Sequence, residues 1–141
     1  MEKREKPVMI DGKVIAKTIK EEIAKEVQDL LTEGKRPPHL VAVIVGEDGA
    51  SLSYVASKEK QSKEVGFTSS VYRFPESISE KELLETLDFL NKDPEVDGYI
   101  VQLPLPKHIN ERKVLEAIAP SKDVDGFHPS NGGRMMLGMP T

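Results

Sequence analysis

An amine, an amide and a carboxylate stand out in this sequence as groups that could do chemistry on a small ligand: Lys58, Gln102 and Asp125. Lys58 stands four residues after Tyr54 in Ser51-Leu-Ser-Tyr54-Val-Ala-Ser-Lys58. On a helix that spacing puts ring and amine on one face. A lysine lodged among apolar walls loses its proton more easily, because burial disfavours the charged form, and it can then act as a base near neutral pH. The plain alternative is a solvated lysine beside a half-buried tyrosine, since most helical lysines are simply exposed. Gln102 is the polar residue in Ile100-Val-Gln-Leu103, just before Pro104. A buried amide must find partners, either a neighbouring loop or the crevice that Lys58 reaches. There it would hold an amine without adding a competing charge. Asp123-Val-Asp125-Gly126 is either only a turn, the commonest use of Asp-Gly, or a carboxylate placed at that crevice. His128 before Pro129 reads as a polar surface residue.

Several other chemistries are excluded. The sequence has no cysteine, so disulfides, thiolate metal sites and a cysteine nucleophile are out. The three histidines, His39, His108 and His128, show no HxxxH or HxH spacing, and no metal is expected. Gly46-Glu-Asp-Gly49 is neither a GxGxxG fingerprint nor a P-loop, and there is no GxSxG elbow. No dinucleotide site is therefore expected in this chain. Twenty basic against twenty-four acidic side chains give a net charge of −4, which argues against a nucleic-acid partner. No apolar run approaches membrane-spanning length. The charged start, Met1 to Lys6, has no apolar core after it and does not read as a secretory signal.

The reactive groups need elements to bring them together. At 141 residues, with 38 % hydrophobic and 31 % charged, the chain is long enough for one domain with a real core. Val14, Ile15, Ile19, Ile23, Val27 and Leu30 recur at helical intervals behind Asp11, a plausible N-cap. The run 40–45 is continuously apolar, as suits a parallel strand covered on both faces. A helix over 50–65 follows, with Gly66 just past its end. Residues 68–74 read as a second strand. Ser79-Glu-Lys-Glu82 has capping-box spacing ahead of Leu83, Leu84, Leu87 and Leu90. Residues 98–103 read as a third strand, halted by Pro104, and Asn110 can cap a short helix that ends before Pro120. From Ser121 onward periodicity is lost, so the tail is predicted to be loop-like. Strands alternating with helices predict a three-layer α/β/α domain with a mainly parallel sheet. Lys58 and Gln102 both follow strands whose carboxyl ends point the same way, where ligands sit in open α/β sheets.

Four segments, taken together, resemble the methylenetetrahydrofolate dehydrogenase/cyclohydrolase family, specifically its N-terminal, folate-binding catalytic domain. They are Val45-Gly-Glu-Asp-Gly-Ala-Ser51, Tyr54-Val-Ala-Ser-Lys58-Glu-Lys60, Val101-Gln-Leu-Pro-Leu-Pro106 and Lys122-Asp-Val-Asp-Gly-Phe-His-Pro129, the last followed by Asn131 and Gly133-Arg134. The likeness covers nearly the whole chain. One departure is Gly49, where the family usually has proline. The other is that the family's second domain, a Rossmann-like module with a PGGVGP-type phosphate loop, is missing from this chain.

The resemblance implies roles for individual residues. Lys58 looks like the acid/base that opens the methenyl ring with water, Gln102 like its hydrogen-bond partner, and Asp125 like the carboxylate that grips the pterin. Tyr54 looks like the residue lying against the folate ring system. Val55, Ser57, Val101 and Leu103 complete the substrate-binding set that the likeness implies. It also implies 5,10-methenyltetrahydrofolate hydrolysis, oxidation of 5,10-methylenetetrahydrofolate with NADP or NAD in the full-length enzyme, and tetrahydrofolate derivatives as ligands. A homodimer, a cytoplasmic location and a place in one-carbon metabolism and purine biosynthesis are further implications. Residues 1–128 would be the catalytic domain and 129–141 a linker toward the missing nucleotide-binding domain. Two alternatives stay open: a folate-binding or dimerisation module without turnover, and an unrelated three-layer α/β ligand-binding domain.

Overall fold

Val41, Val43 and Val45 alternate with Ala42 and Ile44 along one strand, and all five are buried. Alternation sends the first three to one face and the other two to the opposite face. A strand apolar on both faces needs cover on both, and that requirement organises the whole chain. In a computed structural model, which describes residues 8–139, the strand is β1 (His39–Val45). It lies between β2 (Thr68–Phe74) and β3 (Gly98–Val101), parallel to both.

Among the described residues five α-helices accompany the sheet: α1 (Gly12–Thr32), α2 (Gly49–Glu64), α3 (Glu80–Lys92), α4 (Glu111–Ala117) and α5 (Pro129–Met136). The larger core joins Val41, Val43, Val45, Tyr99 and Val101 to Leu83, Leu87 and Leu90 of α3 and Val114 of α4. The smaller core, on the opposite face, joins Ala42, Ile44 and Ile100 to Val55 of α2. The predicted three-layer parallel α/β domain is therefore the observed one.

The predicted caps form. Asp11 accepts from the Lys13 and Val14 amides, and Asn110 accepts from Lys113. The Ser79/Glu82 capping box is complete. Along α1 only Val27 is buried, while Val14, Ile15 and Ile19 lie exposed. The apolar stripe that the sequence shows along α1 is therefore left largely uncovered among the described residues.

Two expectations are corrected. β3 stops at Val101 rather than at residue 103, so Gln102 and Leu103 stand just beyond the strand. The tail is not all loop: α5 forms over Pro129–Met136, with the His128 ring accepting from the Ser130 amide and proline in the first turn. Pro129 supplies a preset φ and lacks an amide that would go unpaired there, and with the His128 cap it starts a helix despite the cost of Gly132 and Gly133. The charged segment Met1 to Lys6, read as no signal sequence, and the last two residues lie outside the described residues. Among the described residues no helix is long and apolar enough to cross a membrane.

Candidate active site

The site is built where β1 and β3 end. Gly46 and the turn after it carry the chain from β1 into α2. The Asp48 carboxylate accepts from the Ser51 amide at 2.8 Å and starts the helix. That bond holds the Asp48 carboxyl below the usual carboxylate range. The first turn of α2 thus stands against the chain leaving β3. Ser51 is buried, and its hydroxyl donates to the Leu103 carbonyl at 3.4 Å. Val55, one turn on, is wholly buried against the sheet and fixes the helix's rotation. With Val55 facing inward, Tyr54 and Lys58 emerge along the helix's flank.

From the other side, the Gln102 amide N–H donates to the Val43 carbonyl at 2.8 Å, continuing the ladder one residue past β3. Val101 points into the α3-side core, so Gln102 turns to the α2 side. Its side-chain NH2 donates to the Leu103 carbonyl at 3.0 Å. Its carbonyl oxygen accepts from the Lys58 ammonium at 3.3 Å. The Leu103 carbonyl therefore receives both Ser51 and Gln102, and the Leu103–Pro104 peptide is cis. The acceptor is neutral, so it holds the Lys58 nitrogen without adding a charge and leaves the nitrogen's other positions for water or a ligand.

Lys58 and Gln102, 44 residues apart in sequence, are brought together as half-buried groups. Tyr54 lies a turn before Lys58 and is 62 % exposed, so its ring offers a face to a ligand. Leu103 is half-buried beside Gln102. Val55 and Val101 are 0 % and 2 % exposed, and their side chains belong to the two cores on opposite faces of the sheet. Ser57 lies off the pair. Its hydroxyl accepts from Gln61 at 2.9 Å and borders a groove of about 650 Å³ between α1 and α2. Asp125 is exposed in the turn that starts at Asp123, where the Gly126 amide reaches the Asp123 carbonyl at 3.3 Å. Gly126 sits at φ +69°, a conformation that favours glycine. No described contact joins Asp125 to Lys58 or Gln102.

Sequence reading had no role for Ser51. The signal was a small polar residue in a helix's first turn, facing a strand end. Asp123, Lys122 and Asn131 were noticed only as motif members, and each turns out to anchor the Asp125 turn. The Lys122 ammonium donates to the Leu90 and Asp93 carbonyls at the end of α3, at 2.8 and 2.6 Å. Nearby, the buried Tyr99 hydroxyl donates to Asn91, which also accepts from the Ala119 amide. Burial pushes the Tyr99 phenol up from its ordinary value.

The turn where these elements meet is acidic. The β1–α2 turn carries Glu47 and Asp48, Glu76 lies alongside, and Asp48 already caps the helix. Carboxylates there repel a pyrophosphate that would need those amides. Among the described residues no group of three or more histidine or acidic side chains is placed to hold a metal ion.

An open parallel sheet with helices on both faces and an amine–amide pair at its carboxyl edge defines the class: an α/β domain of the kind that takes ligands at that edge. Comparison with known proteins narrows it. Residues 10–125 match the family described as tetrahydrofolate dehydrogenase/cyclohydrolase, catalytic domain. The chain is 57 % identical over 132 residues to the bifunctional protein FolD of Porphyromonas gingivalis, covering 94 % of this chain and 45 % of that protein. Among solved structures it resembles the bifunctional FolD enzyme of Campylobacter jejuni, with TM-score 0.88, 46 % identity and coverage of 92 % and 45 % of the two chains. It also resembles the Trypanosoma brucei enzyme complexed with NADP and an inhibitor, with TM-score 0.88, 32 % identity and coverage of 95 % and 46 %. This chain belongs to the tetrahydrofolate dehydrogenase/cyclohydrolase family. It spans about half the length of the relatives it matches.

Proposed function

We propose that this chain is the folate-binding catalytic part of a methylenetetrahydrofolate dehydrogenase/cyclohydrolase, and that it hydrolyses 5,10-methenyltetrahydrofolate to 10-formyltetrahydrofolate. The observation that carries the reading is the 3.3 Å contact between the Lys58 amine and the Gln102 carbonyl oxygen at the sheet's carboxyl edge. Lys58 is the acid/base. Water's oxygen bonds to the methenyl carbon while the Lys58 amine takes one of the water's protons. The carbon–N5 bond then breaks, N5 receives that proton from Lys58, and the remaining hydroxyl proton leaves as the formyl C=O forms on N10. One proton is released overall. Gln102 holds the amine in line without supplying a charge of its own. Tyr54 packs against the flat heterocycle, and Asp125 accepts hydrogen bonds from the pterin. Leu103 completes the substrate set beside Gln102, and Val55 supports it from the core beneath α2, whereas Ser57 faces the α1–α2 groove and Val101 the opposite core.

In the whole protein the same folate site serves oxidation of 5,10-methylenetetrahydrofolate by NADP or NAD, with the nucleotide held mainly outside this chain. Residues 1–128 form the catalytic domain, and 129–141 lead toward the nucleotide-binding domain. On the family reading the whole protein is a cytoplasmic homodimer in one-carbon metabolism that supplies purine biosynthesis. It has no nucleic-acid or membrane partner. The net charge of −4 supports the first of those exclusions.

The test is hydrolysis of methenyltetrahydrofolate by the 141-residue chain with no nucleotide present. Turnover supports the reading. Tight folate binding without turnover would favour a binding module instead.

A further inference from the structure

Two aspartates share the Asp123-Val-Asp125-Gly126 turn, and the structure separates them sharply. The Asp125 carboxylate is exposed and has no hydrogen-bond partner among the described residues. The Asp123 carboxylate is half-buried, with both oxygens engaged. One oxygen accepts from the Phe127 amide at 3.2 Å. The other accepts from the His128 amide at 2.8 Å and the Asn131 side-chain NH2 at 2.9 Å. Asn131 donates in addition to the Pro120 carbonyl at 2.9 Å, on the far side of the turn. A carboxylate with both oxygens committed to protein donors has little left for a ligand.

We infer that Asp123 is the positioning residue of the folate site: its carboxylate clamps the turn to the start of α5 and so sets where Asp125 is presented. This rests on the reading of Asp125 as a folate ligand. The clamp acts together with two other anchors. Asp123 forms a parallel bridge to Tyr99 and so registers the turn against β3. Lys122, just before it, is tied to the carbonyls ending α3. The turn is thus fixed to the sheet, to α3 and to α5, and Asp125 is the charged side chain it leaves facing outward. Misplacing a binding group by about an ångström costs up to a hundredfold in rate. Three N–H donors converging on one carboxylate resist that displacement, since a charged acceptor makes each bond stronger.

The experiment uses the 141-residue chain. Asp123→Asn keeps volume but sets an NH2 against N–H donors. KM for methenyltetrahydrofolate should rise about tenfold with kcat held within about twofold. Asn131→Ala, which leaves the carboxylate in place, should shift KM the same way by less. In an Asp125→Ala background Asp123→Asn should add nothing, because the group it positions is gone. A KM that does not move, a loss in kcat alone, or an equal KM rise in the Asp125→Ala background would each overturn the inference. Amide exchange separates this outcome from failure of the folate reading. A parent chain that neither binds nor hydrolyses the folate defeats that reading, and the Phe127 and His128 amides still decide the clamp. Faster exchange in Asp123→Asn, with a displaced Asp125 amide resonance, supports it; parent-like exchange overturns it.

Discussion

Gln102 does two things at once. Its NH2 ties down the Leu103 carbonyl, and its oxygen holds the Lys58 amine. The Leu103 carbonyl keeps a second donor in Ser51, so deleting the amide leaves no orphaned acceptor. Gln102→Ala is therefore expected to lower the hydrolysis rate by about ten- to a hundredfold through loss of positioning. Stability should fall by no more than about 1–2 kcal/mol. Parallel rate assays and urea melts check this. A variant that melts readily yet keeps its activity per folded molecule would make the residue structural. Type and spacing made Lys58, Tyr54 and Gln102 legible in the sequence, and the parallel sheet explains why groups 44 residues apart converge. Spacing does not report rotation about a strand or helix. For that reason the burial of Val55 and Val101, and the turning of Ser57 toward α1, came only with the structure.

Among the elements, the strands, α1 and α3 were readable from their apolar patterns, and α2 from a stretch without glycine or proline that ends at Gly66. β2 runs over the residues expected, and β1 gains only His39. The end of β3 and helix α5 were not readable in that way. Proline after Leu103 ends pairing earlier than apolar character suggests. A helix of eight residues with two glycines has too little periodicity to show, although His128-Pro129 is a start signal. Gly98 tests how tightly β3 and the Asp125 turn are joined. A β-carbon there would lie 2.5 Å from a Val124 methyl and 3.4 Å from the Lys122 carbonyl. Gly98→Ala must push the turn outward, at a cost of about 1–3 kcal/mol. The expected result is a lowered denaturation midpoint together with weaker folate binding. Unchanged values of both would mean that the turn's contact with β3 does not matter.

At the scale of the whole molecule, charge pairing sets the acid limit of stability. Asp97 is held below the usual carboxylate range chiefly by its hydrogen bond from Arg36, at 2.6 Å, with the His39 amide adding to it. Lys113 does the same for Glu80, and Lys20 for Glu64. A carboxyl whose folded pKa is depressed contributes stability above its unfolded pKa, and that stability is lost as pH falls through the folded value. The chain should be evenly stable from about pH 5 upward and weaken progressively below about pH 4. Arg36→Ala should reduce the acid sensitivity by removing the Asp97 share. An Arg36→Ala chain with the parent's acid profile would count against that pairing. The acidic β1–α2 turn leads to a second expectation at this scale. Titration calorimetry of the 141-residue chain with NADP or NAD should show no appreciable binding, and tight binding would contradict the placing of the nucleotide outside it.

In the proposed mechanism the Lys58 amine moves the proton. Lys58→Met keeps the length and the apolar stem but removes the titrating group. Lys58→Arg keeps the charge but does not release a proton in proteins. The decisive measurement is the methenyltetrahydrofolate hydrolysis rate, paired with folate affinity, for both variants against the parent. Both should lose at least about a hundredfold in rate. Affinity should fall much less, because Tyr54 and Asp125 remain. Hydrolysis by Lys58→Met at near the parent rate would reduce Lys58 to a surface lysine and contradict the mechanism.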